Sequence, residues 1–159
     1  MSKIIPGGGY GGYVPLRVIV EEKRLKAGKV FFEMKEGNVL AKGKILQGLR
    51  IKGEEAVITG DHYTSWEKAT QIRSRERIEP SLSDPYVYIS EPGKMDNWPE
   101  KAIRKELGCS RADTKIKLSL VVDIERVWIK ASRFVAHYAV EGILTRDQII
   151  KLKIQRHNS

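Results

Sequence analysis

The stretch Lys115-Ile116-Lys117-Leu118-Ser119-Leu120-Val121-Val122 decides the fold class. Apolar residues at its even-numbered positions alternate with polar ones over most of its length, which is the period of a half-buried β-strand. The segment Phe134–Val140 repeats this pattern, with apolar side chains at every second position. Its apolar set would face the core, and His137 and Glu141 would then face outward. Two such strands favour an antiparallel sheet with one face on the core.

The chain before residue 60 adds further predicted strands. The runs Leu16–Val20, Lys29–Glu33, Val39–Leu46 and Ala56–Thr59 are rich in β-branched or apolar residues, and glycine-containing turns separate several of them. None of these runs has the apolar period of 3.6 residues that is typical of a helix. We therefore expect β structure throughout residues 16–57.

The rest of the chain alternates strands and short helices. Thr64 and Glu67 have the spacing of a capping box, which predicts a helix from Ser65 to about Arg73. The remaining predicted elements are a proline-bounded loop at 79–85, a strand at Tyr86–Ser90, a helix from near Pro99 to Gly108 with Asn97 as its cap, and a short last helix opened by the Thr145 and Gln148 pair. The sum predicts a mainly antiparallel α+β fold with short helices at its margins.

Length and composition narrow the class of protein. The chain has 159 residues, of which 41% are hydrophobic, enough for a packed core. The single cysteine, Cys109, excludes an intramolecular disulfide framework and a cysteine-based zinc site. No apolar run is long enough for a transmembrane helix, and residues 1–13 do not have the pattern of a secretory signal peptide. A formal net charge of +9 favours polyanionic partners, including nucleic acid.

The N-terminal residues predict a tether rather than a folded element. Residues 1–15 include Pro6-Gly7-Gly8-Gly9 and a second glycine pair, which leave little to bury and much backbone freedom. They fit either a frayed end or a junction to a larger protein. We expect residues 16–57 to form a β-rich part that packs in one domain with a catalytic part over residues 58–159.

Common catalytic motifs are absent from the sequence. There is no P-loop, no dinucleotide fingerprint after a strand and no nucleophile elbow. The three histidines, His62, His137 and His157, are dispersed, and we expect no metal site. What remains is a sparse set of polar residues at strand ends, in which Glu141 precedes a glycine turn and can project into a cleft or into solvent.

The order of the short motifs resembles a known enzyme family. His62-Tyr63-Thr64-Ser65, then Arg77-Ile78-Glu79-Pro80-Ser81, Tyr86-Val87-Tyr88-Ile89-Ser90 and Val140-Glu141-Gly142-Ile143 follow one another over residues 58–152. This series resembles the His-Tyr-acid ADP-ribosyltransferases, which include diphtheria-toxin-like and PARP-like enzymes. It is most similar to bacterial polymorphic-toxin domains with a His-Tyr-Thr motif. The resemblance implies a split antiparallel β-sheet core and NAD as co-substrate, without a metal.

The resemblance also implies a role for each matching residue. His62 would hydrogen-bond the adenosine ribose of NAD, while Tyr63 and Thr64 would hold the nicotinamide amide through their backbone. Tyr88 would stack on the nicotinamide ring, and Glu141 would hold the nicotinamide ribose and orient the acceptor. A second stacking aromatic is expected about ten residues after Tyr88, where this chain offers Trp98 in place of the usual tyrosine.

The chemistry of NAD cleavage requires residue types that this chain contains. Cleavage of the nicotinamide–ribose bond develops positive charge on the ribose carbon, which a nearby carboxylate stabilises. Flat aromatic rings orient the nicotinamide. The pyrophosphate needs cations, and Arg73, Arg75, Arg77 and Lys94 lie near the motifs in the sequence. Of these we assign Arg77 to the NAD site.

The partners follow from the resemblance and from the charge. RNA or a ribonucleoprotein is slightly favoured over a protein as the acceptor of ADP-ribose, because basic residues give phosphate affinity. The glycine-rich start fits a toxin domain secreted within a larger delivery protein, acting in the cytoplasm of a target cell and inhibited by an acidic immunity protein. We expect no membrane partner.

Two alternatives stay open: a non-enzymatic basic module that binds nucleic acid or protein, and a small ribonuclease toxin that uses His62 or His137 with Glu141.

Overall fold

The structure, a computed structural model, describes residues 5–9 and 12–157. About 46% of the chain is strand and 20% is helix, and every strand pair is antiparallel, so the predicted mainly antiparallel α+β class is confirmed. In the described part of the chain, no helix is both long and apolar enough to cross a membrane.

The strands have the following bounds: β1 Val14–Pro15, β2 Arg24–Ala27, β3 Val30–Lys35, β4 Asn38–Ala41, β5 Lys44–Ile45, β6 Leu49–Lys52, β7 Glu55–Thr64, β8 Tyr86–Ser90, β9 Thr114–Asp123, β10 Val127–Ala131, β11 Ala136–Glu141 and β12 Ile149–Arg156. The α-helices are α1 Leu16–Glu22, α2 Trp66–Arg75 and α3 Glu100–Leu107, and short 3₁₀ helices span Pro6–Gly9 and Ile124–Arg126. Strand β8 and helices α2 and α3 form where they were predicted. The predicted caps are wrong, because Ser65 and not Thr64 caps α2, and Pro99 and not Asn97 stands at the cap position of α3, without a side-chain cap hydrogen bond.

The strands form two sheets. The larger sheet has the order β1-β10-β11-β8-β7-β9-β12, with β6 paired to the first half of β7, and the smaller sheet has the order β2-β3-β4-β5. One face of the larger sheet packs on the smaller sheet, where Phe32 and Val39 join Ile58, Ile89 and Leu118 in one buried cluster. Residues 16–57 therefore share a hydrophobic core with the rest of the chain.

The opposite face of the larger sheet is covered at one end by α3. Tyr63 on β7 packs there with Met95, Ile103, Ala112 and Val135 in a second, smaller cluster. Because side chains alternate along a strand, Tyr63 lies on the other face from Ile58. The sheet thus separates the main core from this smaller one.

The larger sheet is split between β7 and β8. These two strands are paired at one position only, Asp61 with Ser90, whereas β7 pairs with β9 over its full length. Gly60 makes the close approach possible, since a Cβ there would lie 2.4 Å from the Ser90 carbonyl oxygen. Beyond this contact the two strands separate, and a cleft opens between them.

The first predicted strand, Leu16–Val20, is wrong: these residues form α1. Leu16 and Ile19 are fully buried, and their spacing of three residues places them on one face of a helical turn. Pro15 precedes the helix, and Lys23 ends it in the left-handed conformation. The run is too short to show a helical period in the sequence.

The predicted helix after Thr145 is also wrong. The Gln148 side-chain oxygen accepts a hydrogen bond from the Thr145 backbone N–H, but the residues form a turn that leads into β12. Strand β12 pairs with β9 from Ile149 to Arg156, so the sheet gains an edge strand there. Tertiary pairing outweighs a local capping pattern that stabilises a helix by only about 1 kcal/mol.

The expected outward face of β11 is not exposed. His137 is only 2% exposed because β11 lies between β10 and β8 and beneath α3. Its Nε2–H donates to Glu106 on α3 at 2.7 Å, and its Nδ1 lies 2.9 Å from the Ser90 hydroxyl. Phe134, which was expected to face the core, lies outside the strand and is 66% exposed.

The described part of the predicted tether packs on the body of the protein. Residues 6–9 form a 3₁₀ helix, and β1 pairs with β10. The Tyr13 ring contacts Tyr88 edge-on at 5.9 Å between centroids. The tether prediction is therefore wrong for these residues, because aromatic packing and strand pairing offset the backbone entropy; residues 1–4 and 10–11 lie outside the described chain.

The contact between Glu106 and His137 predicts acid-sensitive stability. The hydrogen bond from His137 holds the pKa of Glu106 below its ordinary value of 4.5. A lowered folded-state pKa stabilises the protein above pH 4.5, and this stabilisation is lost as pH falls through the folded-state value. Glu106→Gln keeps an acceptor for His137 but does not titrate, so we expect its unfolding free energy, measured by urea denaturation, to fall less on acidification than that of the unsubstituted protein.

His137→Ala removes the partner of both Glu106 and Ser90. We expect it to lower the unfolding free energy at pH 7 by about 3 kcal/mol, because a carboxylate and a buried hydroxyl lose their hydrogen bonds. A loss below about 1 kcal/mol, or equal pH dependence of the unsubstituted protein and Glu106→Gln, would show that this network does not hold α3 to the sheet.

Candidate functional site

A cavity of about 740 Å³ lies where β7 and β8 separate. Its walls are the end of β7 at 62–64 with the following Ser65, the start of β8 at 86–88, the segment 78–84 and the segment 107–111. Ligand sites of proteins commonly measure about 300–1,000 Å³, so the volume suits a molecule of cofactor size. The split in the sheet is thus the origin of the candidate site.

His62 is tied to the opposite strand. Its Nδ1 lies 2.8 Å from the backbone oxygen of Tyr88, and since a carbonyl only accepts, Nδ1 carries the proton and donates. Burial lowers the pKa of His62 below its ordinary value of 6.5, and the nearby Lys68 charge acts in the same direction. The imidazole is therefore neutral at pH 7, and its Nε2 lone pair can accept a hydrogen bond from a hydroxyl group.

Tyr88 presents a half-buried ring at the cavity wall. Its hydroxyl donates to the Asp84 carboxylate at 2.8 Å and accepts from the Gly7 N–H at 3.0 Å. Burial is the main cause that raises the pKa of Tyr88, and Asp84 adds to it. The hydroxyl is thus fixed by two hydrogen bonds, and the Tyr13 ring packs edge-on against the Tyr88 ring.

Tyr63 and Thr64 line the cavity beside His62, and both are buried. The Tyr63 ring extends into the small cluster under α3, where its hydroxyl has no hydrogen-bond partner among the described atoms. Ser65 accepts a hydrogen bond from the Lys68 N–H and caps α2, which starts the helix directly behind the cavity wall. The local sequence therefore fixes where β7 ends and how its last residues turn.

Glu141 lies next to the cavity but does not line it. It is directly opposite Tyr86 in the β11–β8 pair, and the Tyr86 hydroxyl points to its carboxylate at 3.5 Å. Burial and the Glu141 charge raise the pKa of Tyr86 to about 12. Arg126 donates to the Glu141 backbone oxygen at 2.7 Å and so holds the strand end in place.

The segment that follows Glu141 also holds the cavity wall. Gly142 donates from its N–H to the Pro85 oxygen at 2.8 Å, and Ile78 and Leu144 exchange two backbone hydrogen bonds. The segment 78–84 is thereby pinned to the chain around Glu141. Glu141 is therefore adjacent to the part of the cavity wall that Tyr86 forms.

Cations at the cavity are Lys68 and Arg111 rather than the predicted arginines. Arg111 is exposed and forms an ion pair with Asp113 at 3.0 Å. Arg77 pairs with Glu79 and lines a smaller hollow of about 220 Å³, which shares Lys68 and Glu79 with the cavity. Arg77 is therefore a neighbour of the site and not part of its wall.

Trp98 lies away from the cavity. Its ring packs edge-on against Phe134, and its backbone oxygen accepts a hydrogen bond from His157. Its position does not support a role as the second stacking aromatic. The aromatic side chain that lies beside Tyr88 is Tyr86, whose ring centroid is 6.4 Å from that of Tyr88.

Sequence reasoning missed Tyr13, Asp84 and Tyr86. Tyr86 could have been found, since residues two apart on a strand share a face and Tyr88 had been chosen already. Asp84 precedes Pro85 in a loop and gave no signal of its contact with Tyr88. Tyr13 is 75 positions from Tyr88 in the sequence, and only pairing of β1 with β10 brings it near.

The arrangement combines a neutral imidazole, two tyrosine rings, a carboxylate at the margin and two cations. Such a set can bind a molecule that has hydroxyl groups, a flat ring and phosphates. Within residues 5–9 and 12–157, no three histidine, cysteine, aspartate or glutamate side chains gather as metal ligands would.

Comparison of the chain with known protein families, with characterised proteins and with solved structures found no match in any of the three.

Proposed function

We propose that this protein is an antibacterial toxin domain that transfers ADP-ribose from NAD to a cytoplasmic target. The proposal takes the larger sheet, split between β7 and β8, as an ADP-ribosyltransferase-like core. The acceptor is RNA or a ribonucleoprotein in preference to a protein. In this proposal NAD is a co-substrate and no metal takes part.

One observation carries the proposal. His62 and Tyr88 belong to strands that are paired at a single point, yet a hydrogen bond joins them across one cavity of about 740 Å³. These are the two residues that the family resemblance assigns to ribose binding and nicotinamide stacking. Their meeting at a cavity large enough for a dinucleotide supports that assignment.

Each residue has a role in the proposed reaction. The Nε2 lone pair of His62 accepts a hydrogen bond from the adenosine ribose, and the backbone of Tyr63 and Thr64 binds the nicotinamide amide. Tyr88 stacks on the nicotinamide with Tyr86 beside it. Lys68 and Arg111, which line the cavity, take the pyrophosphate in place of Arg77.

The role of Glu141 follows from the bonds that break and form. The bond between the nicotinamide nitrogen and the ribose carbon breaks, and its electron pair leaves with neutral nicotinamide. A nucleophilic atom of the acceptor forms the new bond to the ribose carbon and releases its proton to solvent. Glu141 stabilises the positive charge on the ribose while the bond breaks, and it orients the acceptor.

The wider setting belongs to the same proposal. The domain is secreted as part of a larger delivery protein and acts in the cytoplasm of a target cell. An acidic immunity protein would neutralise it by covering the cavity and its basic surroundings.

A non-enzymatic nucleic-acid-binding module is the second candidate. It is favoured by exposed lysines on β9 and β12 that form no ion pair with the described residues. A ribonuclease based on His137 has less support, because both ring nitrogens of His137 are engaged and the ring is buried. Release of nicotinamide separates the transferase from both alternatives.

The first prediction of the proposed function concerns turnover of NAD. Purified protein incubated with NAD labelled in the adenylate and with a bacterial lysate should release nicotinamide and add label to a macromolecule. Nuclease should remove the label if RNA is the acceptor, and protease should remove it if a protein is. Cleavage of RNA in the absence of NAD would instead identify a ribonuclease. If the protein neither turns over NAD nor cleaves RNA, the non-enzymatic binding module is the remaining candidate.

The second prediction concerns Glu141 and Tyr88. Glu141→Gln keeps the shape of the side chain but removes its charge, so nicotinamide release should fall by about 100-fold or more. Tyr88→Ala should raise the KM for NAD through loss of the stacking surface, whereas Tyr88→Phe keeps the ring and should retain most activity. The matched control is Asp123→Asn, an exposed acid-to-amide change on the far end of β9.

Equal activity of Glu141→Gln and Asp123→Asn would remove Glu141 from the mechanism. Unfolding transitions of all variants should be measured alongside, because Tyr88 also binds Gly7 and Asp84. A loss of activity supports the catalytic assignment only in variants that remain folded.

The third prediction concerns the protonation of His62. Since burial lowers its pKa, its NMR titration midpoint should lie below 6.5, and the ring should carry its proton on Nδ1. The lowered folded-state pKa means that stability is lost as pH falls below 6.5 and the ring is forced to protonate. His62→Asn, which does not titrate, should show a smaller loss of stability between pH 7 and pH 5. A midpoint above 6.5 would contradict a neutral acceptor at this position.

A further inference from the structure

Three adjoining hollows run across the surface away from the NAD cavity. The first, of about 330 Å³, is lined by Lys42, Lys44, Lys94 and Arg133, with Phe134 beside them. The second, of about 360 Å³, shares Ile45, Leu46 and Gln47 with the first.

The second hollow adds Arg50 and Lys52. The third, of about 400 Å³, shares Thr59 with the second and adds Lys117, Lys151 and Lys153. We call this continuous surface the basic tract.

The cations of the basic tract are exposed and form no ion pair in the described chain, although Lys117 lies directly across from Asp61 on β7 and Lys52 directly across from Glu55. Among the described residues, no carboxylate lies within 4.0 Å of their charged nitrogens, although Arg17, Arg77, Arg111 and Arg146 elsewhere all form ion pairs. Lys115, which also borders the third hollow, is different: it is buried and paired with Asp61 and Asp96. The free positive charge is therefore concentrated at the outer part of the tract.

Strand register places part of the tract on a single sheet face. Arg50 pairs with Val57, Val57 with Val121, Lys117 with Lys153, and Ser119 with Lys151, so these side chains project from the same side of β6, β7, β9 and β12. This face spans three strand spacings, or roughly 14 Å. The row of cations is thus a product of the register and not of one basic segment.

The opposed lysines are unfavourable in the protein alone. Lys117 and Lys153 lie directly across from each other on adjacent strands, an arrangement of like charges that destabilises a sheet. An anion between them would remove the repulsion. A chain of anions would do the same along the whole tract.

The acidic groups near the tract do not fill this role. The Glu91 carboxylate accepts hydrogen bonds from the backbone N–H groups of Gln47 and Ala136. Asp61, which lies directly across from Lys117, is buried and is already engaged by the Gly93 N–H and the Lys115 ammonium. Glu55 and Asp123 lie together at the far end of the sheet face. These last two acids mark a boundary beyond which an anionic chain would be repelled.

The other end of the tract carries an aromatic side chain. Phe134 is 66% exposed, and the Arg133 guanidinium lies 5.0 Å from the centre of its ring. An exposed ring next to a planar cation is a surface on which a nucleic-acid base can stack. An acidic protein would be drawn to the lysines but has no base to place on this ring.

We propose that the basic tract binds single-stranded RNA, with phosphates along the lysines of β9 and β12 and a base stacked on Phe134. The proposal names the class of partner that the transferase modifies, and it rests on the proposed function only for the role of RNA as acceptor. Binding itself requires neither NAD nor the cavity. A binding assay without NAD can therefore fail or succeed independently of the transferase.

The test uses the full chain and a fluorescein-labelled oligouridine of about 20 nucleotides, which exceeds common single-strand site sizes. Fluorescence anisotropy between about 50 and 200 mM salt gives the dissociation constant and its salt dependence. The Lys117→Gln, Lys151→Gln, Lys153→Gln triple variant should bind about tenfold or more weakly. Its slope of log affinity against log salt should be smaller by about 2, since each lost phosphate contact removes about 0.7.

The matched control neutralises three exposed lysines outside the tract, in the variant Lys26→Gln, Lys101→Gln, Lys105→Gln. It has the same net charge as the tract variant, so it should bind within about threefold of the unsubstituted protein if location and not total charge decides affinity. Phe134→Ala should weaken binding about tenfold without a change of the salt slope, because stacking releases no counterions.

Three results would overturn the proposal. Equal weakening by both triple variants would show non-specific attraction by net charge. No binding by the unsubstituted protein at about 50 mM salt would exclude an RNA surface of this strength. Tighter binding of a polyglutamate of equal length, unaffected by Phe134→Ala, would identify an acidic protein as the occupant. NAD turnover in the tract variant, measured in parallel, shows whether the transferase is intact in each case.

Discussion

The single pairing of Asp61 with Ser90 is the constraint on which the rest of the structure depends. It joins two halves of a sheet that otherwise separate between β7 and β8, and both residues are almost fully buried. Asp61 is held by the Gly93 N–H and lies 3.8 Å from the Lys115 ammonium. Ser90 is held by His137, which is tied in turn to Glu106 on α3. Since polar groups buried together are costly to separate, the junction is rigid and the strands beyond it are free to diverge. The cavity that holds His62 and Tyr88 exists because of this divergence.

The same sheet serves two surfaces of different character. The gap between β7 and β8 is lined by aromatic rings, a neutral imidazole and few cations. The face of β6, β7, β9 and β12 has several exposed lysines and Arg50, none of which forms an ion pair in the described chain. A net charge of +9 is therefore not a uniform property of the molecule. Several surface arginines are neutralised by carboxylates, and the unpaired charge collects where strand register aligns it.

Local patterns predicted some elements well and others poorly. The Tyr86–Ser90 strand and the helix ending at Gly108 were found because β-branched residues, a proline and a left-handed glycine act over a few residues. Leu16–Val20 was misjudged because a helix of seven residues shows too little of its period. The Thr145 and Gln148 pair formed its local hydrogen bond, but the open edge of β9 determined that a strand follows. Motif order singled out His62 and Tyr88, which line one cavity, but it gave no signal for Tyr13, whose contact with Tyr88 depends on the distant pairing of β1 with β10.

By itself, the sequence determined the mainly antiparallel α+β class, the strand that starts at Tyr86, the helix that follows Ser65, and the excess of positive charge. These depend on side-chain alternation, capping and composition, which act within a few residues. Only the tertiary structure decided that β7 and β8 meet at one residue pair, that Glu141 lies beside the cavity and Trp98 away from it, and that Lys117 faces Lys153. The reason is physical: strand register and the approach of Gly60 to Ser90 are set by packing between residues far apart in the chain, and a local pattern contains no information about that distance.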